Sequence, residues 1–254
     1  MKTKGIILPL LFISIFLTFN ACKKKDNSSP EPDNTTNTPT TQTGNYAVFA
    51  SRKQAIITST LISSLDNFST AYASSSTLIN NSPTVGSLLD MGAMNLNGTI
   101  FQKNAYSVAN MYGDSTSSTF NTPHNWIISG TSAVPGFSYS NTNPYPTYTG
   151  YTAIADSFIV SGNITIPLTN YSGSDEIETY FVTSTNPVAN TSIQNITGSP
   201  ASINFTSTDL SIIGVNSNVS LVINFYKNNI QTINGKSYNF RTGYGIIKSN
   251  IKFR

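Results

Sequence analysis

Residues 219–225 read Val-Ser-Leu-Val-Ile-Asn-Phe, and this short stretch decides the fold class. Val219, Leu221, Ile223 and Phe225 recur at every second position, which places their apolar side chains on one face of an extended strand. An amphipathic helix would instead need apolar residues three or four positions apart. The segment therefore predicts a β-strand that is buried on one side.

The end of the chain repeats this alternation. Three apolar residues are expected on one face and four polar or charged residues on the other, namely Ile247, Ile251 and Phe253 against Lys248, Asn250, Lys252 and Arg254. A charged face of this kind predicts a strand on the outside or at an edge, because lysine discourages pairing with a further strand.

Two Asn-Gly pairs mark hairpins, because a type I′ turn requires positive φ at both central residues. These pairs are Asn97-Gly98 and Asn234-Gly235, each flanked by apolar or β-branched residues. Further strands are expected at 46–51, 106–112, 125–129, 157–160, 163–166, 177–183, 202–206 and 210–213. The window 57–65 has helical apolar spacing, but its serines and threonines are poor helix formers, so a strand is expected there as well.

Strands at spacings of roughly 8–12 residues predict an all-β protein, here an antiparallel β-sandwich made of two packed domains. The proline-rich stretch 138–149 interrupts the alternation and places the boundary between residues 46–143 and 144–254. The second domain resembles an immunoglobulin-like sandwich in size and strand spacing. It lacks the Cys…Trp…Cys pattern of true immunoglobulin domains.

The chain is poor in charge: 10% of its residues are charged, against ~25% in average globular proteins. Nucleic-acid binding is excluded, because it requires clustered Lys and Arg to neutralise phosphates. The single cysteine, Cys22, excludes an intrachain disulfide.

The N-terminus predicts export. Lys2 and Lys4 precede the apolar run 5–19, which is shorter than the ~20 residues of a membrane span, and Ala21-Cys22 follows. The segment resembles the signal of a bacterial lipoprotein, which implies cleavage after residue 21 and acylation of Cys22. The alternative is an ordinary secretory signal with an incidental cysteine.

Residues 22–45 are expected to form the lipidated cysteine and a disordered tether, since 27–43 contains three prolines and no large apolar residue. Lys23-Lys24-Lys25-Asp26 resembles the charged tags that send Bacteroidetes lipoproteins to the outer face of the outer membrane. The other interpretation is a solvated charge run beside lipid headgroups.

Two further resemblances point to the same group. The spacing Gly92…Leu96-Asn97-Gly98 followed by 125–130 is similar to that in uncharacterised Bacteroidetes lipoproteins, and it implies no activity. Asp114-Ser115-Thr116 resembles the acceptor for O-linked glycans in these bacteria, which implies a sugar on Ser115.

Groups suited to catalysis are few. His124 is the only histidine and is expected in a loop leading into a strand, so neither a serine triad nor a zinc site is expected. The acidic cluster Asp175, Glu176 and Glu178 could hold Ca²⁺, or it could be a solvated strand edge. No cofactor is expected.

Aromatic residues near the proline-rich stretch are the candidate binding residues: Trp126, Tyr139, Tyr145, Tyr148 and Tyr151. Tyrosine and tryptophan offer large, rigid contact areas with a polar tip, which suit sugars or proteins. Packing between two domains would use the same side chains.

The sequence therefore favours a surface lipoprotein of the outer membrane that binds a glycan or an envelope protein without catalysis. A structural accessory subunit of an outer-membrane assembly is the second hypothesis. The third is a glycan hydrolase, which would use two carboxylates facing each other across a cleft.

Overall fold

The computed structural model describes residues 45–254 except 59, 79–80, 82–86, 106–107, 115–119, 184–190 and 212. Strands dominate this part of the chain. The strands of its first half are β1 (Asn45–Thr58), β2 (Leu61–Leu78), β3 (Leu88–Leu89), β4 (Met94–Leu96), β5 (Thr99–Ile100), β6 (Gln102–Lys103), β7 (Tyr112–Gly113), β8 (His124–Ile128), β9 (Phe137–Asn141) and β10 (Thr147–Tyr148).

The second half ends in a strand of 18 residues, as long as β2. Its strands are β11 (Ser157–Phe158), β12 (Ile164–Pro167), β13 (Tyr171–Ser172), β14 (Glu176–Thr183), β15 (Thr191–Thr197), β16 (Ser202–Phe205), β17 (Asn216–Lys227), β18 (Ile230–Ile233) and β19 (Lys236–Phe253). A 3-10 turn covers Gly150–Ala153, and the short helix α1 covers Ser207–Leu210.

One large sheet organises the structure, with the strand order β15-β14-β17-β19-β1-β2-β7-β6. The first and last strands, β1 and β19, run parallel side by side from Ala47↔Tyr238 to Ile57↔Lys248. The neighbouring pairs β1–β2, β17–β19 and β14–β17 are antiparallel. The predicted segment 144–254 supplies β15, β14, β17 and β19 on one side of this sheet, the segment 46–143 supplies β1, β2, β7 and β6 on the other, and the β1–β19 pair joins the two halves.

Smaller sheets pack against one face of the large sheet, here called the core face. The sheet β5-β4-β8-β9 covers one half of it, around Phe49, Trp126 and Phe240. The β12–β16 pair covers the other half and buries Ile166 and Phe205 with the apolar side of β17. Two packed layers of strands confirm the predicted all-β sandwich.

The position of the last strand differs from its prediction. β19 lies in the middle of the large sheet between β1 and β17, and Lys248 is buried. Leu221 pairs with Lys248 but Val219 pairs with Ile251, so β19 has one extra residue there, a bulge in which Asn250 has a φ of 63°. The extra residue reverses the alternation after Lys248, so that Lys248 lies on the same face as Ile246 and Ile251, while Ile247 lies on the opposite face.

Lys248 is accommodated by polar partners at the edge of the core. Its Nζ donates to the carbonyl oxygen of Ile154 and lies 2.7 Å from Oδ1 of Asp156, which is itself exposed. A buried ammonium group needs such partners, because its desolvation is otherwise costly. A charged residue in an alternating strand therefore did not mark the outer face.

Several local predictions are confirmed. Both Asn-Gly pairs form tight hairpins with positive φ at both residues, between β4 and β5 and between β18 and β19. The window 57–65 forms the end of β1 and the beginning of β2.

Two predicted strands are corrected. The strand expected at 210–213 is wrong, because α1 ends at Leu210 and is capped by Thr206 and Asp209 in a reciprocal capping box. From the strand expected at 106–112, the described residues contribute only Tyr112, in β7.

The bulge gives a test of the fold. Replacing Asn250 with valine should lower the free energy of unfolding by about 1–2 kcal/mol, because a β-branched residue is strained at positive φ. Asn250→Gly is the matched control and should cost much less, since glycine adopts this conformation freely. Denaturant titration followed by circular dichroism measures both, and equal losses would contradict a left-handed residue at this position.

Candidate functional site

Four of the five aromatic candidates are divided between the two halves of the core. Trp126 and Tyr148 are 1% and 2% exposed, so their rings are not available at the surface. Tyr139 stacks on Phe240 with ring centroids 4.1 Å apart, and Tyr151 packs edge-on against Tyr148. Packing inside the sandwich accounts for these four positions.

Tyr145 occupies a different environment, between β1 and β8. Its hydroxyl group lies 2.6 Å from Oγ of Ser51, and its ring contacts the ring of His124 with centroids 5.0 Å apart. The Nζ atom of Lys53 lies over the Tyr145 ring, 4.7 Å from the ring centroid. The five aromatic residues that are close in the sequence therefore lie in different parts of the fold and do not form one binding surface.

His124 is the first residue of β8 and is fully buried, whereas the sequence suggested a loop. Burial lowers its pKa to about 4, and the nearby charge of Lys53 acts in the same direction. The side chain is therefore a neutral core residue at physiological pH.

The acidic cluster is separated by the fold. Asp175 pairs with Lys227 at 2.6 Å near the surface, whereas Glu176 is buried against Arg241 at 2.8 Å. Glu178 accepts a hydrogen bond from Asn224 at 2.8 Å. Among the described residues, no group of three or more His, Cys, Asp or Glu is placed to hold a metal ion. Glu176 and Glu178 lie in β14, which has a neighbouring strand on each side and is therefore not an edge strand.

Two further carboxylates, Asp90 and Asp209, also have partners. Asp90 pairs with Lys103 at 2.6 Å and accepts from the Tyr112 hydroxyl and the Gly92 amide, and these bonds lower its pKa to about 2. Asp209 caps α1. Cys22 and Ser115 lie outside the described residues.

The opposite face of the large sheet carries a cluster of polar residues that the sequence analysis missed. We call it the buried polar cluster, and its members come from β1, β14, β17 and β19: Arg52, Gln54, Glu176, Glu178, Asn224, Tyr226 and Arg241. Apolar side chains flank it on the same face, with Tyr180 and Ile247 at one end and Val48 and Tyr72 at the other.

Two guanidinium groups hold this cluster together. Arg241 stacks over the Tyr226 ring, 3.6 Å from its centroid, while pairing with Glu176. Arg52 donates to the Tyr226 hydroxyl at 2.9 Å and to Oε1 of Gln54 at 3.0 Å. Burial by itself would lower the pKa of Arg241, but the charge of Glu176 and other acidic groups raises it overall. The Arg241 guanidinium group is therefore charged at every physiological pH.

Three asparagines extend the network around Glu176. Asn228 and Asn81 both donate to its Oε2, at 2.9 and 3.4 Å. Asn239 donates to Oδ1 of Asn81 and of Asn228. These bonds satisfy a carboxylate that is 6% exposed, which would otherwise be costly to bury.

Glycines in β19 provide the space for the arginine of β1. A Cβ atom on Gly245 would lie 2.6 Å from Oδ1 of Asn224 and 3.3 Å from Cδ of Arg52. A Cβ atom on Gly243 would lie 2.9 Å from the Tyr226 ring. The sequence Thr-Gly-Tyr-Gly at 242–245 was the available signal, since alternate glycines in a strand indicate a close approach of other groups.

A pocket of about 340 Å³ opens at the turns beside β13, and we call it the Tyr171 pocket. It is lined by Leu168, Asn170, Tyr171, Ser172, Gly173, Ser174, Ser199, Pro200 and Ala201. Tyr171 donates through its hydroxyl to the carbonyl oxygen of Pro200 at 2.8 Å. This pocket, in contrast to the buried polar cluster, is open to solvent.

A second exposed feature is a group of apolar residues at one end of the large sheet, here called the apolar end. Its members are Leu61, Ile62, Leu65, Ile159 and Val215, of which Leu61 is 73% exposed. Leu61 and Leu65 follow the β1–β2 turn. Phe158 and Asn216 both pair with Phe253 at the end of β19, and Ile159 and Val215 are their neighbours in the sequence. Because β1 and β19 are parallel, this end is opposite to Asn45, where β1 begins.

Comparisons with known proteins give no relative: no protein-family model matches the chain, and no curated protein or solved structure resembles it significantly. Within the described residues, no helix has the length and apolar character needed to cross a membrane.

The buried ion pair gives a stability prediction. Glu176→Gln should lower the free energy of unfolding by about 3–5 kcal/mol, because it leaves the Arg241 charge buried without a counter-charge. Asp175→Asn is the matched control. It breaks the half-exposed pair with Lys227 and should cost at most about 1 kcal/mol. Chemical denaturation measures both, and similar losses would contradict the different burial of the two pairs.

His124 gives a pH prediction. Its pKa is about 4 in the folded protein and ~6.5 in the unfolded chain, so between these values only the unfolded chain takes up the proton. The stability that this histidine contributes above pH 6.5 should therefore fall by about 2 kcal/mol between pH 7 and pH 5.

The control is His124→Leu, which should remove this part of the pH dependence while leaving the response of Asp90 below pH 4. Unfolding titrations at both pH values measure the difference. An unchanged pH dependence in the variant would show that His124 takes up protons equally in both states.

Proposed function

We propose that this protein is a lipid-anchored binding protein of the bacterial outer membrane and acts without catalysis. Acylation of Cys22 would hold it in the membrane, and residues 22–45 would serve as the tether. Several acyl chains contribute roughly 0.8 kcal/mol per buried CH₂ group, which is sufficient for stable anchoring. The cell exterior is the proposed location of the folded body.

The observation that carries the proposed binding role is the position of the apolar end. The tether would join at Asn45, the first residue of β1. β1 is 14 residues long, which corresponds to about 45 Å at the usual rise of a strand. The apolar end lies at the other terminus of β1, where Leu61 pairs with Thr58, and so the tethered protein would present it away from the lipid.

The exposure of this end supports contact with another protein. Leu61, Ile62 and Leu65 are 73%, 44% and 58% exposed, while the same strand buries Ala71 and Ala73 completely. Clustered apolar side chains that remain in water mark interaction surfaces more often than isolated ones do. A partner that covered them would recover the hydrophobic free energy that folding leaves unused.

An accessory subunit would use the same surface, and the nature of the partner separates the two roles. A binding or adhesion protein would contact a molecule outside the cell, whereas an accessory subunit would copurify with a protein of its own membrane. The apolar end favours a protein partner in both cases.

The anchor is tested by the full-length protein expressed with Cys22 or with Cys22→Ser. Metabolic labelling with an alkyne fatty acid should label the first protein and sediment it with membranes, while the variant should remain unlabelled and be released. Labelling that persists in the variant, or an unmodified Cys22 by mass spectrometry, would contradict the proposed anchoring.

The apolar end is tested by photo-crosslinking in cells with a probe at position 65 or at position 230. Leu65 and Ile230 are 58% and 59% exposed, so the two positions are matched in exposure. Ile230 pairs with Asn239 near the start of β19, at the end of the sheet where the tether would join. A crosslinked protein is expected from position 65 and not from position 230. The same adducts from both positions, or none from position 65, would refute the proposed role of this end.

A further inference from the structure

The Tyr171 pocket has the lining chemistry of a site for an uncharged, hydroxyl-rich ligand. None of its nine lining residues carries a charge, so nothing in it would compensate a phosphate or carboxylate group. Five of the nine side chains carry hydrogen-bonding groups that both donate and accept: Asn170, Tyr171, Ser172, Ser174 and Ser199. Its volume of about 340 Å³ is at the small end of the range for ligand pockets.

Tyr171 supplies an aromatic side chain in a fixed position. Its hydroxyl group is held by Pro200, and its ring packs against the buried Phe225 ring with centroids 5.2 Å apart. A ring that is fixed before binding loses little side-chain entropy when a ligand packs against it. The C–H faces of sugars suit such contacts, because tyrosine combines an apolar ring with a polar tip.

The backbone around the pocket is ordered by strand pairing. Tyr171 and Ser172 of β13 pair with Tyr148 and Thr147 of β10, and the Thr147 and Ser172 hydroxyl oxygens lie 2.9 Å apart. Gly173 then turns the chain with a φ of 78°, a conformation that favours glycine. The turn brings Ser174 to the pocket wall.

Ser174 has an unused hydrogen-bonding group. Its hydroxyl oxygen is buried and has no hydrogen-bond partner among the described residues. A buried hydroxyl without a partner is unfavourable, and rotation about one side-chain bond would let it bond to a ligand hydroxyl.

We propose that the Tyr171 pocket binds a neutral sugar ring of a glycan, with Tyr171 as the packing surface and Asn170, Ser172 and Ser174 as hydrogen-bonding groups. This inference goes beyond the proposed protein-binding role of the apolar end and does not depend on the lipid anchor. The two surfaces use separate residues, and their tests therefore fail independently.

The test is saturation-transfer difference NMR on the full-length protein with glucose, galactose, mannose and N-acetylglucosamine, each at millimolar concentration, and with glucuronic acid as the charged comparison. Transfer to the ring protons of at least one neutral sugar is expected. Transfer to none of them, or only to the charged sugar, would overturn the proposal.

Variants locate the binding site. Tyr171→Ala should weaken binding about tenfold, because it removes an aromatic contact of about 1.4 kcal/mol. Tyr46→Ala is the matched control, since Tyr46 is also half-buried and also donates its hydroxyl to a backbone carbonyl, that of Ala133. Ser174→Ala is the smaller change and keeps the test valid if Tyr171→Ala does not fold.

Binding that is unchanged in both Tyr171→Ala and Ser174→Ala, or equally weakened in Tyr46→Ala, would overturn the assignment to this pocket. The source of the ligand is then tested by titration with two glycans. Purified surface polysaccharide of the producing bacterium represents a ligand in the cell's own envelope, and mucin glycans represent an external ligand.

Discussion

The parallel pairing of the first and last strands is the constraint on which the rest of the structure depends. β1 and β19 are adjacent over eleven residue pairs, although nearly two hundred residues separate them in the chain. The chain between them must therefore leave this pair and return to it. Closing such long loops is entropically costly, and the cost is met only when the whole sheet has assembled.

The two faces of this central pair are used differently. The core face buries apolar side chains against the smaller sheets, around Phe49 and Phe240 in one half and Ile246 in the other. The opposite face contains the buried polar cluster, in which Arg241 and Glu176 pair across β17. An alignment that separated the two residues would leave a buried charge without its partner, which is strongly destabilising. The cluster therefore favours the one alignment of β14, β17 and β19 in which Arg241 meets Glu176.

The surface features follow from the same arrangement. Because β1 and β19 begin at the same end, the proposed tether and the β18–β19 hairpin lie together, and the apolar end lies at the far end of the sheet. The Tyr171 pocket forms elsewhere, where β13 and the turn after β15 meet. We infer two separate contact regions, one suited to a protein and the other to a sugar.

The local structure is encoded in short stretches of the chain. Period-two patterning identified the strand at 219–225, and the Asn-Gly pairs identified two hairpins, because both signals depend only on neighbouring residues. The tertiary structure alone decided which residues meet. One extra residue at the Asn250 bulge reversed the orientation of Lys248, and Arg241 found Glu176 across 65 positions of sequence. No local pattern encodes such meetings, because burial and ion pairing are set by the order of strands in the sheet.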